Sequence, residues 1–405
     1  MKTTTPRHLR LAFVSSCLVE WGGSEELWAG TALWLARAGH SVQAFKTNVN
    51  AQQPQVRALR AAGCPVTELA PAAPLLRRIA SRLRPYRPAH ELSQQRLRKG
   101  LQSGQPQLVL ISQGGNYDGH HFAAVCRQLK LPYVLLAQKA SDNNLPPHQE
   151  RTLVQQSYQS AHRAFFVSRH NLLLTQLQLG LALPAAEVVW NPYNVAFQGE
   201  APWPAAPNGI LQLACVARLY LADKGQDLLL QVLTQARWRQ RPLHLTLYGA
   251  GPDEAAIRGM IAFLGLQTRV SLGGYQADIA RLWRQHHALV LPSRHEGLPL
   301  ALVEAMLSGR PAIATDAGGI AELLTDGETG FLAAAPTFQA LDEALERAWL
   351  ARASWPQLGA EAARQARASV PPDAAARLAQ RLLLLAQGTP TTAAPVAVQQ
   401  PVGVS

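Results

Sequence analysis

At 405 residues the chain is long enough for two domains with separate cores, and its composition, 48% hydrophobic and 16% charged, is that of a globular protein rather than a disordered or fibrous one. The net charge of +12 sits in one half: residues 1–198 carry 21 Lys/Arg against 9 Asp/Glu and residues 199–405 carry 17 against 17, so the first half is expected to meet something acidic. Cys17, Cys64, Cys126 and Cys215 are scattered and never form C-x-x-C, which argues against a zinc or disulfide framework. That usage, with no apolar run approaching a membrane span, leads us to expect a cytoplasmic protein.

Leu9 to Leu18 reads as a buried first strand rather than a leader, since the run is brief, contains serines and lacks a small-x-small cleavage site. Gly22-Gly23 then opens a helix with Ser24 as its expected N-cap and acids in the first turn. Read alone, the glycine pair is a tight strand-to-helix turn; the missing side chains would also let the backbone approach a phosphate or sugar. A strand (HSVQAFKT), a helix and a short strand (CPVTEL) follow.

Residues 74–100 hold eight Lys/Arg, from Arg77 to Lys99, against the single Glu91, with Leu75, Leu76, Ile79 and Leu83 at helical spacing. Two readings stand: an amphipathic basic helix on anionic lipid or an anionic acceptor, or a solvated basic face. Nucleic acid is not expected, because no aromatic-interleaved basic platform accompanies the charge. QLVLIS and YVLLAQ are strands by their apolar runs, and both end in polar residues, where the strands of an open parallel sheet face a ligand. After the first lie Gly114, Gly115, Asp118, His120 and His121; Gln138 ends the second. The proline-rich segment 199–209 reads as an inter-domain connector.

The second half begins with the strand ILQLACVAR. Arg218 at its end and Lys224 converge on one strand-to-helix loop, with Asp223 as the expected helix cap. G-A-G-P-D-E at 249–254 lacks the third glycine of a dinucleotide fingerprint, because Glu254 occupies that place. The turn Gly273-Gly274-Tyr275 follows the next strand. HALVLPS is a buried strand, and LPLALVEAMLS reads as a helix with Pro299 at its first position. Glu296 thus falls in a loop and Glu304 within the helix, while the main-chain N–H groups of Gly297, Leu298 and Leu300 line a helix mouth that favours an anion. Two carboxylates beside an anion site suit a phosphate ester flanked by hydroxyl-rich groups, which describes a nucleotide-sugar. Helices dominate from Thr337, and the tail 389–405 is expected to be disordered.

The E-x7-E pair Glu296/Glu304, the R-x5-K pair Arg218/Lys224 and the paired Gly22-Gly23 together resemble retaining glycosyltransferases of the GT-B fold, family 4 in particular. The resemblance implies an α/β architecture of two Rossmann-like domains facing each other across a cleft, with the last helix crossing back. The expected domains are 1–198 for the acceptor, a linker at 199–209, 210–372 for the nucleotide-sugar, and a crossover helix at 373–388. It also implies that Arg218 and Lys224 hold the diphosphate, Glu304 the ribose, Glu296 the donor hexose, and the turn at Tyr275 the base. Gly22 and Gly23 would then contact substrate, and a role in polysaccharide or glycolipid synthesis is the expected setting. Many family members carry histidine near the donor sugar at the position that is Gln138 here; glutamine hydrogen-bonds a hydroxyl but cannot carry a proton. The sequence has no D-x-D, so no metal or other cofactor is expected. Alternatives on the same scaffold are an epimerase, a sugar-phosphate synthase, or a silent nucleotide-sugar-binding protein.

Overall fold

The structure, a computed structural model, describes residues 8–69, 89–199 and 201–388. Most of the basic stretch 74–100 lies outside those residues, and so does the tail from 389; only the end of the basic stretch falls within a described helix, Ala89–Gly104. Among the described residues no helix is long and apolar enough to cross a membrane. The chain divides into two compact units, one of 1–192 with 373–405 and one of 193–372.

The first unit is a seven-stranded parallel sheet in the order β3-β2-β1-β4-β5-β6-β7. Its strands are β1 (Arg10–Ser15), β2 (Ser41–Lys46), β3 (Val66–Glu68), β4 (Leu108–Gln113), β5 (Tyr133–Ala137), β6 (Arg163–Phe166) and β7 (Ala186–Val188). Helices cover both faces, so central strands are buried on both sides and read as unbroken apolar runs; every residue of β4 and β5 is buried. Chain order reverses between β1 and β4, and such a switch point leaves a crevice at the strands' carboxyl ends. The loops holding Gly22-Gly23 and Gly114-Gly115 leave from there.

The first helix runs from Gly23 to Arg37 with Gly22 as its N-cap, so the expected cap at Ser24 is corrected: Ser24 lies inside the first turn. That frame turns Glu25 inward, where it meets Lys46 at 2.9 Å with both side chains at 1% exposure or less, and where the Ser15 hydroxyl donates to its carboxylate, lying 3.0 and 2.9 Å from the two oxygens. Lys46 Nζ also donates to the carbonyls of Cys17 and Val19, at 3.1 and 2.9 Å. A buried ion pair persists only when its remaining donors are satisfied, and here the loop after β1 satisfies them. The last helix, Ala374–Ala386, belongs to this unit. It is capped by Asp373, lies so close to the first helix that a Cβ at Gly30 would stand 3.1 Å from that of Ala375, and is latched by Arg381 to Glu187 at 2.8 Å.

The second unit is a six-stranded parallel sheet in the order β10-β9-β8-β11-β12-β13. Its strands are β8 (Leu211–Val216), β9 (Leu243–Tyr248), β10 (Val270–Gly274), β11 (Ala288–Leu291), β12 (Ala312–Thr315) and β13 (Gly330–Ala333). Its core unites Leu213, Leu245, Val290 and Ile313 from the sheet with Trp238, Leu345 and Trp355 from the helices. Residues 193–199 and 201–209 belong to this unit. The buried Arg310 guanidinium donates to the carbonyls of Pro202, Trp283 and His286 at 2.6 to 2.9 Å and lies over the Trp203 ring at 5.2 Å. The order reverses between β8 and β11, which fixes where this unit's crevice opens.

Candidate active site

Arg218 and Lys224 follow β8, and Glu296 follows β11, so the switch point brings together residues more than 70 positions apart in the chain. Lys224 Nζ lies 2.7 Å from both carboxylate oxygens of Glu296, and Ser293 Oγ donates to Oε1 at 2.7 Å. Thr315 at the end of β12 holds Ser293 in turn, donating to its carbonyl at 2.5 Å. Beneath them the Cys215 thiol is pushed up to about 12 by burial, which removes it as a nucleophile.

The loop that presents Lys224 differs from the expectation. Asp223 does not cap the following helix; it lies inside the short helix Leu221–Lys224, and Gly225 in a left-handed conformation separates that turn from the helix Gln226–Val232. The Asp223 carbonyl instead accepts from the main-chain N–H groups of Arg294 and His295, at 2.7 and 3.1 Å. Arg294 forms a two-pronged bond to Asp227, 2.8 Å on each prong, which holds its proton more firmly than usual. A Cβ at Gly225 would overlap the carbonyl oxygen of Pro292. This absent side chain lets the lysine loop lie on the glutamate loop. Gly225→Ala is therefore expected to lower the stability of the second unit by about 2 kcal/mol or more, from the left-handed backbone and the overlap together. A melting temperature equal to wild type would contradict the close approach.

Similar contacts hold the neighbouring loops. Added Cβ atoms at Gly249 and Gly251 would strike the carbonyls of Ala217 and Leu219, which flank Arg218, and one at Gly318 would strike that of Glu296. Gly319 N–H donates to the Gly297 carbonyl at 2.6 Å. The helix Leu300–Leu307 begins one residue later than expected, with Pro299 as its N-cap. Among the described residues, the N–H groups of Gly297, Leu298 and Leu300 donate to no protein acceptor, which leaves a helix mouth with unused donors beside Lys224 and Glu296. Glu304 is buried within that helix and has a partner that periodicity did not suggest: its Oε1 accepts from the main-chain and side-chain N–H of Asn194, at 2.9 and 3.1 Å. Tyr275 follows the irregular end of β10 and is 79% exposed.

In the first unit, Gly22 and Gly23 follow β1 at its own switch point, and the loop before them is fixed by Lys46. Gln138 is buried after β5; its Oε1 accepts from Asn191 at 2.9 Å, and its Nε2 has no partner among the described residues. His120 is tied to the Tyr117 carbonyl at 3.1 Å and lies 3.6 Å from Glu150, as suits a structural histidine. Asp118 accepts from Gly115 N–H at 2.8 Å, and burial pushes its carboxyl upward.

Two doubly wound parallel-sheet units, one of them with cations, a glutamate and a bare helix mouth at its switch point, define the GT-B class of fold. Residues 211–350 match the family described as glycosyl transferases group 1. It is 33% identical over 132 residues to the exopolysaccharide phosphotransferase SCO2592 of Streptomyces coelicolor, a match spanning 32% of this chain and 14% of that protein. It is 30% identical over 130 residues to the alpha-D-kanosaminyltransferase of Streptomyces kanamyceticus, over 31% of this chain and 33% of that one. The chain thus spans a third or less of the length of these curated relatives. Among solved structures it resembles Anabaena Alr3699/HepE in complex with UDP-glucose, at TM-score 0.70 and 19% identity over 93% of this chain and 99% of that one.

Proposed function

We propose that the chain is a glycosyltransferase moving a hexosyl group from a nucleoside-diphosphate sugar to a hydroxyl of a glycan or glycolipid, with retention of configuration and without a divalent metal. The observation that carries this reading is the meeting of Lys224, Glu296 and the bare helix mouth at one switch point of the second unit. During transfer the bond from the anomeric carbon to the diphosphate oxygen breaks, and its electron pair leaves with that oxygen. Lys224, Arg218 and the N–H groups of Gly297, Leu298 and Leu300 are preplaced donors for the growing charge and lower the barrier. The acceptor oxygen bonds to the anomeric carbon on the same face, and its proton passes to the departing phosphate. Glu296 orients the hexose hydroxyls while holding Lys224 in place; Glu304 shares its carboxylate between Asn194 and the ribose, and the turn at Tyr275 holds the base. In the first unit we assign substrate contacts to Gly22, Gly23 and Gln138. The group 1 match and the UDP-glucose complex of the similar structure support a nucleotide-sugar as donor.

A panel of UDP-, GDP- and ADP-sugars should contain at least one that raises the melting temperature by several degrees when present at about a hundred times its dissociation constant. Turnover of that sugar with an alcohol acceptor should survive EDTA. No stabilisation by any member would remove the nucleotide-sugar reading, and loss of turnover in chelator would remove the metal-independent part of it.

A further inference from the structure

The cations around the second unit's switch point are not held alike. Lys224 is matched by Glu296 and Arg294 by Asp227, each through paired contacts of 2.7 or 2.8 Å. The Arg218 side chain is exposed and, among the described residues, its guanidinium meets no carboxylate; it lies against an aromatic ring, the guanidinium carbon 4.6 Å from the centre of Tyr220. An arginine with only solvent around it would have to be immobilised by the ligand, which costs up to about 2 kcal/mol of rotamer entropy.

The backbone explains why Tyr220 is placed to prevent this. Leu219 is buried and donates from its N–H to the Ala250 carbonyl at 3.1 Å, so it anchors the turn inward. Tyr220 has extended dihedrals, φ −143 and ψ 99, and the turn at Leu219 sets its ring beside the Arg218 guanidinium. Tyr220 N–H closes onto the Arg218 carbonyl at 2.8 Å, and its own carbonyl accepts from Lys224 N–H at 2.9 Å. One residue thus fixes the cation before it through its ring and the cation after it through its main chain. Asp253 secures the turn from the far side, accepting from Leu221 N–H at 2.7 Å.

We propose that Tyr220 is a positioning residue for the diphosphate, holding the Arg218 guanidinium by stacking so that the charge is in place before the ligand arrives. This rests on the proposed role of Arg218, and it assigns the work to the aromatic face and not to the hydroxyl. A double-mutant cycle tests it, with the dissociation constant measured by calorimetry for whichever of UDP, GDP and ADP binds the wild-type chain most tightly. Tyr220→Phe should bind within about twofold of wild type, while Tyr220→Leu should bind about fivefold more weakly, the size of a partly exposed cation–aromatic contact. In an Arg218→Ala background the same Tyr220→Leu change should have almost no effect, because the group it orients is gone. A fivefold loss that persists without Arg218, or equal losses from Phe and Leu, would overturn the proposal. Effects of Arg218→Ala within twofold of wild type would overturn the assigned role of Arg218 instead, and the positioning role would fall with it. A wild-type chain that binds none of the three would overturn both.

Discussion

Lys224→Ala is expected to lower turnover of the nucleotide-sugar about a hundredfold or more, the cost of removing one preorganised group that meets charge developing in a transition state. The geometry adds a second consequence. The Lys224 and Glu296 side chains are 19% and 7% exposed, so alanine leaves a mostly buried carboxylate with Ser293 as its remaining partner. Some loss of stability should therefore accompany the loss of rate, and the two are separated by measuring turnover well below the variant's melting temperature. Glu296→Gln keeps an acceptor for Lys224 but loses the charge, and should retain more stability than the alanine variant. A Lys224→Ala enzyme within a few-fold of wild type would take Lys224 out of the chemistry, and the site would then have to be sought elsewhere in the chain.

The largest effect on stability is expected at Lys46. Removing one partner of a buried ion pair costs about 3–5 kcal/mol, because the other charge remains in place without compensation. For Lys46→Ala that charge is Glu25, with the shared Ser15 hydroxyl as its remaining side-chain donor among the described residues, and the carbonyls of Cys17 and Val19 lose their donor as well. At about 2–4 °C per kcal/mol for a domain of this size, the first unit should melt on the order of ten degrees lower. Replacing both charges with apolar side chains of similar volume, Lys46→Met with Glu25→Leu, should recover most of the loss, since such exchanges are often neutral. Thermal unfolding of the three proteins decides the matter; a Lys46→Ala chain that melts with wild type would mean that the pair is not closed in solution.

Much of the architecture was legible from the chain itself. Apolar runs such as LVLIS and ALVL are unbroken because both faces of these strands are covered, and that alone indicates a parallel sheet under helices. The spacing of Glu296 and Glu304 about the start of a helix, and the placing of Arg218 and Lys224 after a strand, needed only local periodicity. Helix starts were less legible. Ser24 looked like a cap by residue type, yet Glu25 is turned into the protein by Lys46, and the helix begins two residues before the serine would have started it. Asp223 likewise had the right chemistry for a cap, but its carbonyl is used by the loop of Arg294 and His295.

Sequence by itself determined the strand-helix rhythm, the glycine turns and which charged residues stand at the ends of strands, because each of these is set within a few positions by side-chain period and backbone sterics. Only the tertiary structure decided which of those ends meet. β8 lies between β9 and β11, and that order carries Lys224 to Glu296 and seats Gly225 on the Pro292 carbonyl, while Arg218 stacks on Tyr220. Within the first unit the fold pairs Glu25 with Lys46, and within the second Asn194 with Glu304. These are contacts between distant segments, and their energy depends on desolvation and on distances of a few ångströms, which no local pattern of residues encodes.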